Sequence, residues 1–267
     1  MRVRRRYLPP GWYPGNAEVA RRKIEEMEEG IRPPSAAGIA GVVPHAGWEF
    51  SGRLALEVLK RLSPSMDTMV IIGGHLGPAD GLLCAFEDSY DTPLGPVAAD
   101  LELMEAIGSS IPLREDRYAD NTVEVQLPFV RYLFPEVRVL GMRASPSRDA
   151  ARLGVVVSDA AKRLGRRVAV IGSTDLTHYG AGYGFQPAGI GEHALKWVRE
   201  VNDRRLIDSL LAMDLDASLS RALGERSACS AGGALAALSF AKTNGIQSGT
   251  LVCYATSQDV HPSESFV

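Results

Sequence analysis

The sequence predicts a layered α/β domain, and two observations support that prediction. Three short apolar runs, residues 39–43, 68–74 and 168–172, are bounded by Pro or Gly and are typical of buried strands. Segments whose apolar residues recur at helical spacing alternate with these runs, as in folds that layer helices on a sheet. No repeat, low-complexity segment or evident linker interrupts the 267 residues. We therefore predict one domain over residues 1–267, with a basic N-terminal arm at 1–11.

Local signals place the helices and the shorter strands. Asn16 and Asp100 are suitable N-caps, and Gly165 is a suitable helix end. The predicted helices cover residues 17–29, 53–62, 101–107, 121–134, 148–164, 191–213, 217–223 and 231–241. Shorter apolar runs predict further strands at residues 82–86, 95–99, 137–142 and 249–255, and a loop over residues 31–38 leads into the first strand.

The helix predicted over residues 121–134 carries two further signals. Asn121-x-x-Glu124 has the spacing of a capping box, in which two side chains satisfy backbone N–H groups reciprocally. Pro128 lies inside the same pattern and predicts a kink, because proline has no N–H to donate.

Composition excludes several classes of function. The formal net charge is −3, so the chain lacks the basic surface that nucleic-acid binding requires. No apolar run approaches the roughly 18 residues of a membrane span. No apolar stretch follows the arginines of residues 2–6, so we expect a solvated N-terminal arm there and not a signal peptide. Three cysteines without a CxxC pair fit a reducing, cytoplasmic location.

Three of the five histidines follow predicted strands. His45 and His75 come directly after two of them, and His178 follows the third by a few residues. Each could be a structural histidine when taken alone. Because the carboxyl ends of parallel strands meet at one edge of a sheet, we expect the three imidazoles to share a site.

Asp175 lies three residues before His178, a spacing that puts both side chains on one face if a helical turn begins there. A carboxylate beside an imidazole fixes its tautomer and raises its basicity, which suits a general base or a metal ligand. The competing interpretation is that Ser173 or Thr174 caps a helix and that Asp175 merely favours the helix dipole.

Cys229 precedes the predicted helix over residues 231–241, where a helix N-terminus lowers the pKa of a thiol. It could equally be a small buried residue, as we expect Cys84 and Cys253 to be. Together, His45, His75 and Cys229 would supply two imidazoles and one thiolate. Such ligands suit iron, zinc or copper, and three protein ligands leave a position open for water or substrate.

Seven motifs, in order from Trp12 to Val260, resemble those of the Memo family, the B component of the AmmeMemoRadiSam gene set. They are WYPGN, VVPHAGWEFSG, IIGGHLGP, VEVQLPF, IGSTDLTHYG, ACSAGG and YATSQDV. The family is similar in fold to the LigB-type class III extradiol dioxygenases, which hold non-haem Fe(II) at a two-histidine site. The resemblance implies a three-layer α/β/α domain around a mostly parallel or mixed sheet.

The resemblance also implies a metal site at His45, His75 and Cys229, with Fe(II) as the expected ion and Zn or Cu as alternatives. It implies catalytic roles for Asp175 and His178. Substrate-binding positions follow at Trp12, Asn121 and Glu124. Implied partners are a small-molecule or peptide ligand and the radical SAM and AMMECR1-type proteins of the same gene set.

The sequence departs from the family pattern at two places beside these residues. Asn121 stands where the family often has histidine, which removes one imidazole from the expected pocket. Gly73-Gly74-His75 lacks the Pro-Ser that precedes histidine in the family.

Three functions remain open on the sequence alone. The first is a metal-dependent oxidoreductase resembling a dioxygenase, with His178 as acid or base. The second is a non-catalytic module that binds a peptide or a small anion in the same cleft. The third is a hydrolase with Cys229 as nucleophile, although the sequence holds no nucleophile-elbow motif.

Overall fold

A six-stranded mixed sheet forms the centre of the computed structural model, which describes residues 2–32 and 36–267. The strands of the chain are β1 (Val3–Arg4), β2 (Ala40–Val43), β3 (Thr68–Gly73), β4 (Leu82–Cys84), β5 (Ser89–Tyr90), β6 (Val97–Ala98), β7 (Arg114–Glu115), β8 (Arg138–Ala144) and β9 (Val168–Ser173). The large sheet has the order β2-β9-β3-β8-β4-β7, and β1, β5 and β6 form a small second sheet. Strands β2, β9, β3 and β8 are parallel, whereas β4 runs antiparallel to β8.

The central strands are apolar on both faces because helices cover both. Every residue of β3 is buried; Met69 and Ile71 pack into one core, and Val70 and Ile72 pack into the other. A continuous apolar run is what a parallel strand buried on two sides requires. The predicted α/β class and its mixed sheet are confirmed.

Helices form the two outer layers. They are α1 (Ala17–Glu28), α2 (Arg53–Leu59), α3 (Leu101–Gly108), α4 (Asn121–Glu124), α5 (Leu127–Leu133), α6 (Arg148–Leu164), α7 (Gly191–Trp197), α8 (Asp203–Leu211), α9 (Leu215–Gly224) and α10 (Ala231–Thr243). Helices α1, α2 and α5 contribute to the core on one face of the sheet, and α3, α6 and α10 contribute to the core on the other. The arrangement is the predicted three-layer one.

Local capping explains where several helices begin and end. The side chains of Asn16 and Asp100 accept hydrogen bonds from backbone N–H groups in the first turns of α1 and α3, as predicted. Helix α6 has the predicted bounds, since Gly165 adopts the left-handed conformation, with φ of 62°, that closes a helix.

The predicted helix over residues 121–134 is two helices, α4 and α5. The N-cap of α4 is Asp120, whose side chain accepts from the backbone N–H of Thr122, so the capping box predicted at Asn121 and Glu124 is wrong. Pro128 lies in the first turn of α5 and not inside a kinked helix, because its missing N–H costs nothing there.

Residues 249–255, predicted as a strand, pair with no strand in the described part of the chain. Two anchors hold this segment to α8: the Gly249 N–H donates to the Leu211 carbonyl at 2.8 Å, and the Tyr254 hydroxyl donates to Asp203 at 2.7 Å. A cavity of about 730 Å³ separates the segment from the edge strand β2. The apolar sequence is strand-like, but these anchors keep its backbone away from the sheet.

The N-terminal arm is bound to the rest of the protein, which corrects the expectation of a solvated arm. β1 pairs in parallel with β5, Arg4 forms an ion pair with the buried Asp116, and Arg6 pairs with Asp91. Arg5 remains exposed. Sequence composition cannot reveal this, because the partners lie more than 80 residues away.

Of the loop predicted over residues 31–38, residues 33–35 lie outside the described part, as does Met1 of the arm. Within the described ranges, no helix has the length and apolar character that crossing a membrane demands.

Candidate metal centre

His45 leaves the carboxyl end of β2 and is 1% exposed. Its backbone N–H donates to Asp175 Oδ1 at 2.7 Å, and its Nδ1 lies 3.2 Å from the Ser173 hydroxyl at the end of β9. Burial lowers the pKa of His45, although the Asp175 carboxylate acts to raise it. The imidazole is therefore neutral at neutral pH, the state in which its nitrogen can bind a metal.

His75 lies just past the end of β3 with its ring partly exposed, and its Nε2 lies 3.2 Å from Nε2 of His45. Its Nδ1 and its backbone N–H each lie 3.4 Å from Asp120 Oδ2. Burial alone would raise the pKa of the Asp120 carboxyl, but hydrogen bonds from His75 and Thr122 together hold it well below its usual range. An ionised Asp120 can only accept, so His75 donates from Nδ1; in a neutral ring this leaves the Nε2 lone pair facing His45.

Cys229 precedes α10 and completes the group, with its Sγ 3.2 Å from His45 Nε2. Its backbone N–H donates to the Asp175 carbonyl at 3.2 Å, and Thr174 Oγ1 lies 3.8 Å from the sulfur. Burial raises the pKa of the Cys229 thiol to about 12, and the negative charge of Asp175 adds to this effect. The prediction that the helix N-terminus lowers the pKa of Cys229 is therefore wrong for the metal-free protein. Burial raises this pKa by more than the helix lowers it.

Glycines place Cys229 by allowing α10 to touch the strand ends. A Cβ on Gly233 would lie 2.1 Å from the Ile72 carbonyl oxygen of β3, and one on Gly232 would lie 2.0 Å from the Ala144 oxygen of β8. Only a residue without a side chain permits this approach, because backbone atoms cannot rotate away.

Asp175 and His178 lie beside this group, but no helical turn joins them: residues 174–178 form an irregular segment after β9. The prediction that Asp175 and His178 share a helical face is therefore wrong. The competing interpretation, that Ser173 or Thr174 caps a helix, is wrong for the same reason. Asp175 Oδ2 nevertheless lies 4.0 Å from His178 Nε2 and 3.7 Å from His45 Nε2. Burial lowers the pKa of His178 despite Asp175, and its buried Nε2 has no hydrogen-bond partner among the described residues.

The donor atoms are grouped as a metal ion requires. One ligand atom from each of His45, His75 and Cys229 lies within 4.8 Å of the other two, and the same holds for Asp175, His178 and Cys229. The two sets share the sulfur. Neutral imidazoles and a thiol suit iron, zinc or copper and not magnesium or calcium. The residues present thus fit the ion that the sequence suggests, while the chemical roles of Asp175 and His178 stay predictions.

The three expected substrate-binding residues have structural contacts of their own. Asn121 donates from Nδ2 to the His45 carbonyl at 3.0 Å, so it supports the His45 loop. The carbonyl of Trp12 accepts from the Trp48 N–H at 2.8 Å, which holds Trp12 against the same loop. Glu124 accepts from the Tyr7 and Leu8 N–H groups and from the Tyr13 hydroxyl, at 2.9, 3.0 and 2.7 Å, and so anchors the N-terminal arm.

Sequence reasoning missed four residues that support the group. Ser173 contacts His45, Gln126 donates to the Pro44 carbonyl at 2.7 Å, and Asp120 contacts both His75 and Arg143. Ser173 could have been found, because it ends a predicted strand as the histidines do. Asp120 and Arg143 offered no local signal, since their pairing depends on the fold.

A cavity of about 730 Å³ lies against β2, at the edge of the large sheet. Its lining is mostly apolar, from β2, α2, α8, α10 and residues 246–257, and it includes Asp175. Volumes of this order are common for small-molecule sites.

Comparison with known proteins agrees with the motif resemblance. The family model described as Memo-like protein matches residues 5–267. A MEMO1 family protein of Methanococcoides burtonii is 33% identical over 257 residues, which cover 93% of this chain and 91% of that protein. One of Methanothermobacter thermautotrophicus is 33% identical over 284 residues, covering 99% and 97%. One of Pyrococcus abyssi is 33% identical over 263 residues, covering 90% and 89%.

Proposed function

The chain belongs to the Memo-like protein family, and on that premise we propose that it is a metal-dependent redox protein whose iron(II) ion is held by His45, His75 and Cys229. The main support is the convergence of these three side chains, which are far apart in sequence, within 4.8 Å of one another. Three protein ligands leave positions open on the ion for a small molecule. Bound there, iron would supply Lewis-acid and one-electron chemistry.

One tautomer of His45 would favour a cation between the two imidazoles. With Nδ1 of His75 donating to Asp120, the Nε2 lone pair of His75 faces the Nε2 of His45 across 3.2 Å. If His45 also donates from Nδ1, to Ser173, two lone pairs oppose each other, and a cation between them would remove that repulsion. Zinc and copper share this ligand chemistry, so the choice of iron rests on the family resemblance.

His178 is the group that we propose to move a proton to or from a bound substrate. Its Nε2 is buried without a hydrogen-bond partner among the described residues, and the carboxylate of Asp175 lies 4.0 Å away. Because burial lowers its pKa, the imidazole is neutral and able to accept a proton at neutral pH. Asp175 would then stabilise the imidazolium that forms.

Metal content tests the proposal directly. Protein purified anaerobically without chelator should carry stoichiometric iron, or bind added cobalt(II) with an absorption band from thiolate-to-metal charge transfer. His75→Ala should lose most of the metal, and Cys229→Ser should lose the charge-transfer band. His193→Ala is the matched control, because His193 is exposed on α7, and it should bind as the unaltered protein does. Metal-free protein that also fails to bind cobalt would exclude the proposal.

Binding without turnover is the second candidate function. The apolar cavity of about 730 Å³ beside β2 favours it, because Asp175 belongs both to the cavity wall and to the surroundings of the imidazoles. A small apolar molecule or peptide segment would fit such a space. Thermal stabilisation by an apolar probe in both the unaltered protein and Cys229→Ser would support a binding role that needs no metal.

A further inference from the structure

A chain of alternating charges connects the N-terminal arm to His75. It consists of Asp120, Arg143, Asp116 and Arg4, in that order from the imidazole outward. Asp116, Asp120 and Arg143 have side chains at most 7% exposed, whereas Arg4 is partly exposed. Charges removed from water in this way need partners with good geometry, so loss of one member leaves its neighbour uncompensated.

The inner contact fixes the orientation of His75. Asp120 Oδ2 lies 3.4 Å from both the ring Nδ1 and the backbone N–H of His75, while Thr122 donates to the other oxygen. A carboxylate beside Nδ1 selects the tautomer whose Nε2 is free. The orientation of this ring therefore depends on what holds Asp120.

Arg143 holds Asp120 and is itself held by two bonds. Its Nη1 lies 3.3 Å from Asp120 Oδ2, while its Nε and Nη2 donate to the two oxygens of Asp116 at 3.0 and 2.7 Å. This paired arrangement restricts the guanidinium more than a single contact could.

The side chain of Arg143 also packs against the turn that leads to His75. A Cβ on Gly74 would lie 2.5 Å from Cβ of Arg143, and Gly74 has a φ of 105° that favours glycine. Gly73, one residue earlier, is the partner of Arg143 in the parallel ladder between β3 and β8. Arg143 therefore packs against a turn formed by two glycines, which have no side chains of their own to fix it.

Arg4 closes the chain from the arm. Its Nη2 lies 3.0 Å from Asp116 Oδ2, its Nη1 donates to the Asp116 carbonyl at 2.7 Å, and Nη2 also donates to the Tyr118 carbonyl at 2.8 Å. The N-terminal arm thus contacts Asp116, the residue that orients Arg143, although the arm lies far from the candidate metal ligands in sequence.

We propose that Arg143 is a positioning residue that sets the tautomer and orientation of His75 through Asp120, and that Arg4 of the N-terminal arm supports it through Asp116. This inference rests on the proposed function for its effect on metal binding, but its effect on the tautomer of His75 does not depend on a metal. The arm is then part of the support of the site and not only a surface segment.

Two readouts test it on the full chain. Long-range ¹⁵N–¹H NMR spectra of metal-free protein report which nitrogen of His75 carries the proton, and cobalt(II) titration reports affinity. The unaltered protein should show His75 protonated at Nδ1. In Arg143→Lys, which keeps the charge but loses the paired contacts, a mixture of tautomers should appear and affinity should fall by about 10- to 100-fold. Arg4→Met should change the tautomer of His75 and the cobalt affinity in the same direction as Arg143→Lys, but by a smaller amount.

Arg6→Met is the matched control, because Arg6 is an arm arginine that pairs with Asp91 and not with this chain of charges. It should leave both readouts unchanged. If Arg143→Lys fails to fold, Arg4→Met decides the question alone. Folded variants with the native tautomer and native affinity would overturn the inference. Absence of cobalt binding in the unaltered protein would instead count against the proposed function, and the tautomer would still decide the positioning role.

Discussion

The Nε2 atoms of His45 and His75 lie 3.2 Å apart, with their ring planes at 84° to one another. Each ring is held from its other side, His45 by Ser173 and His75 by Asp120. These outer contacts orient the two rings so that their Nε2 atoms face each other. Under the proposed function, a metal ion would bind both nitrogens.

Metal binding should release one proton at neutral pH. In the metal-free protein the pKa of Cys229, about 12, keeps the thiol protonated, while the lowered pKa of His45 keeps its imidazole neutral. A divalent ion that binds the thiolate must displace the thiol proton, so affinity should rise about tenfold per pH unit through the neutral range. Calorimetric titration with cobalt(II) in buffers of different ionisation enthalpy measures the proton number.

The control for proton release is Cys229→Ser. A serine hydroxyl keeps its proton when it binds weakly, so the variant should bind with lower affinity and with little dependence on pH. Release of the same number of protons by this variant would mean that another group supplies the proton.

The variant His178→Gln should keep the bound metal but lose most of its oxygen uptake. His178 belongs to the second set, with Asp175 and Cys229, but His45 and His75 remain in the variant. We expect iron content near that of the unaltered protein and oxygen uptake with a catechol-type probe reduced by about 100-fold or more, as for loss of a general acid or base.

The exposed His261 provides the comparison for that experiment, since in the described structure its ring pairs with the exposed Glu49 and packs edge-on against Phe50, not against the candidate metal ligands. Its change to Gln should leave oxygen uptake unchanged. Loss of iron from His178→Gln would instead assign His178 to the ligands.

Much of the candidate site could be predicted because its signals are local. An apolar run followed at once by histidine defines both the strand and the position of the side chain at its end, as for His45 and His75. Parallel strands then bring such positions together without further information. Helix α6 was predicted with its observed bounds for the same reason, since its end is marked by Gly165.

The rest depended on pairing across the fold. The contacts of the Asp120–Arg143–Asp116–Arg4 chain join residues up to 112 positions apart, and no periodicity marks such partners. Residues 249–255 show the opposite failure, because their composition favours a strand while contacts to α8 hold them away from β2. The pKa of Cys229 also depends on the fold, because burial raises it. The position of Cys229 before a helix does not reveal this burial.

Glu124→Gln should release the N-terminal arm. The carboxylate accepts from two backbone N–H groups and from the Tyr13 hydroxyl, and a neutral amide has one acceptor oxygen to replace two. We expect a loss of about 1.5–3 kcal/mol in the free energy of unfolding, the usual range for hydrogen bonds to a charged group. Hydrogen exchange at the Tyr7 and Leu8 amides should accelerate by more than the global change explains. The exposed Glu136 is the control, and Glu136→Gln should alter neither quantity.

Gly233→Ala should destabilise the protein although alanine favours a helix more than glycine does, because the close approach of α10 to β3 depends on this glycine. The added Cβ would lie 2.1 Å from the Ile72 carbonyl oxygen, so α10 must move away from β3 at a cost of about 1–3 kcal/mol or more. Gly224→Ala is the matched change, because a Cβ at this position in α9 meets no atom of the described residues within 4 Å, and it should be neutral or should stabilise by up to about 1 kcal/mol. Urea unfolding measures both. Since Cys229 lies two residues before α10, Gly233→Ala should also weaken cobalt binding under conditions where the variant is still folded. Unchanged affinity in that variant would show that the thiol is placed by the contacts of Thr174 and Asp175 and not by the approach of the helix.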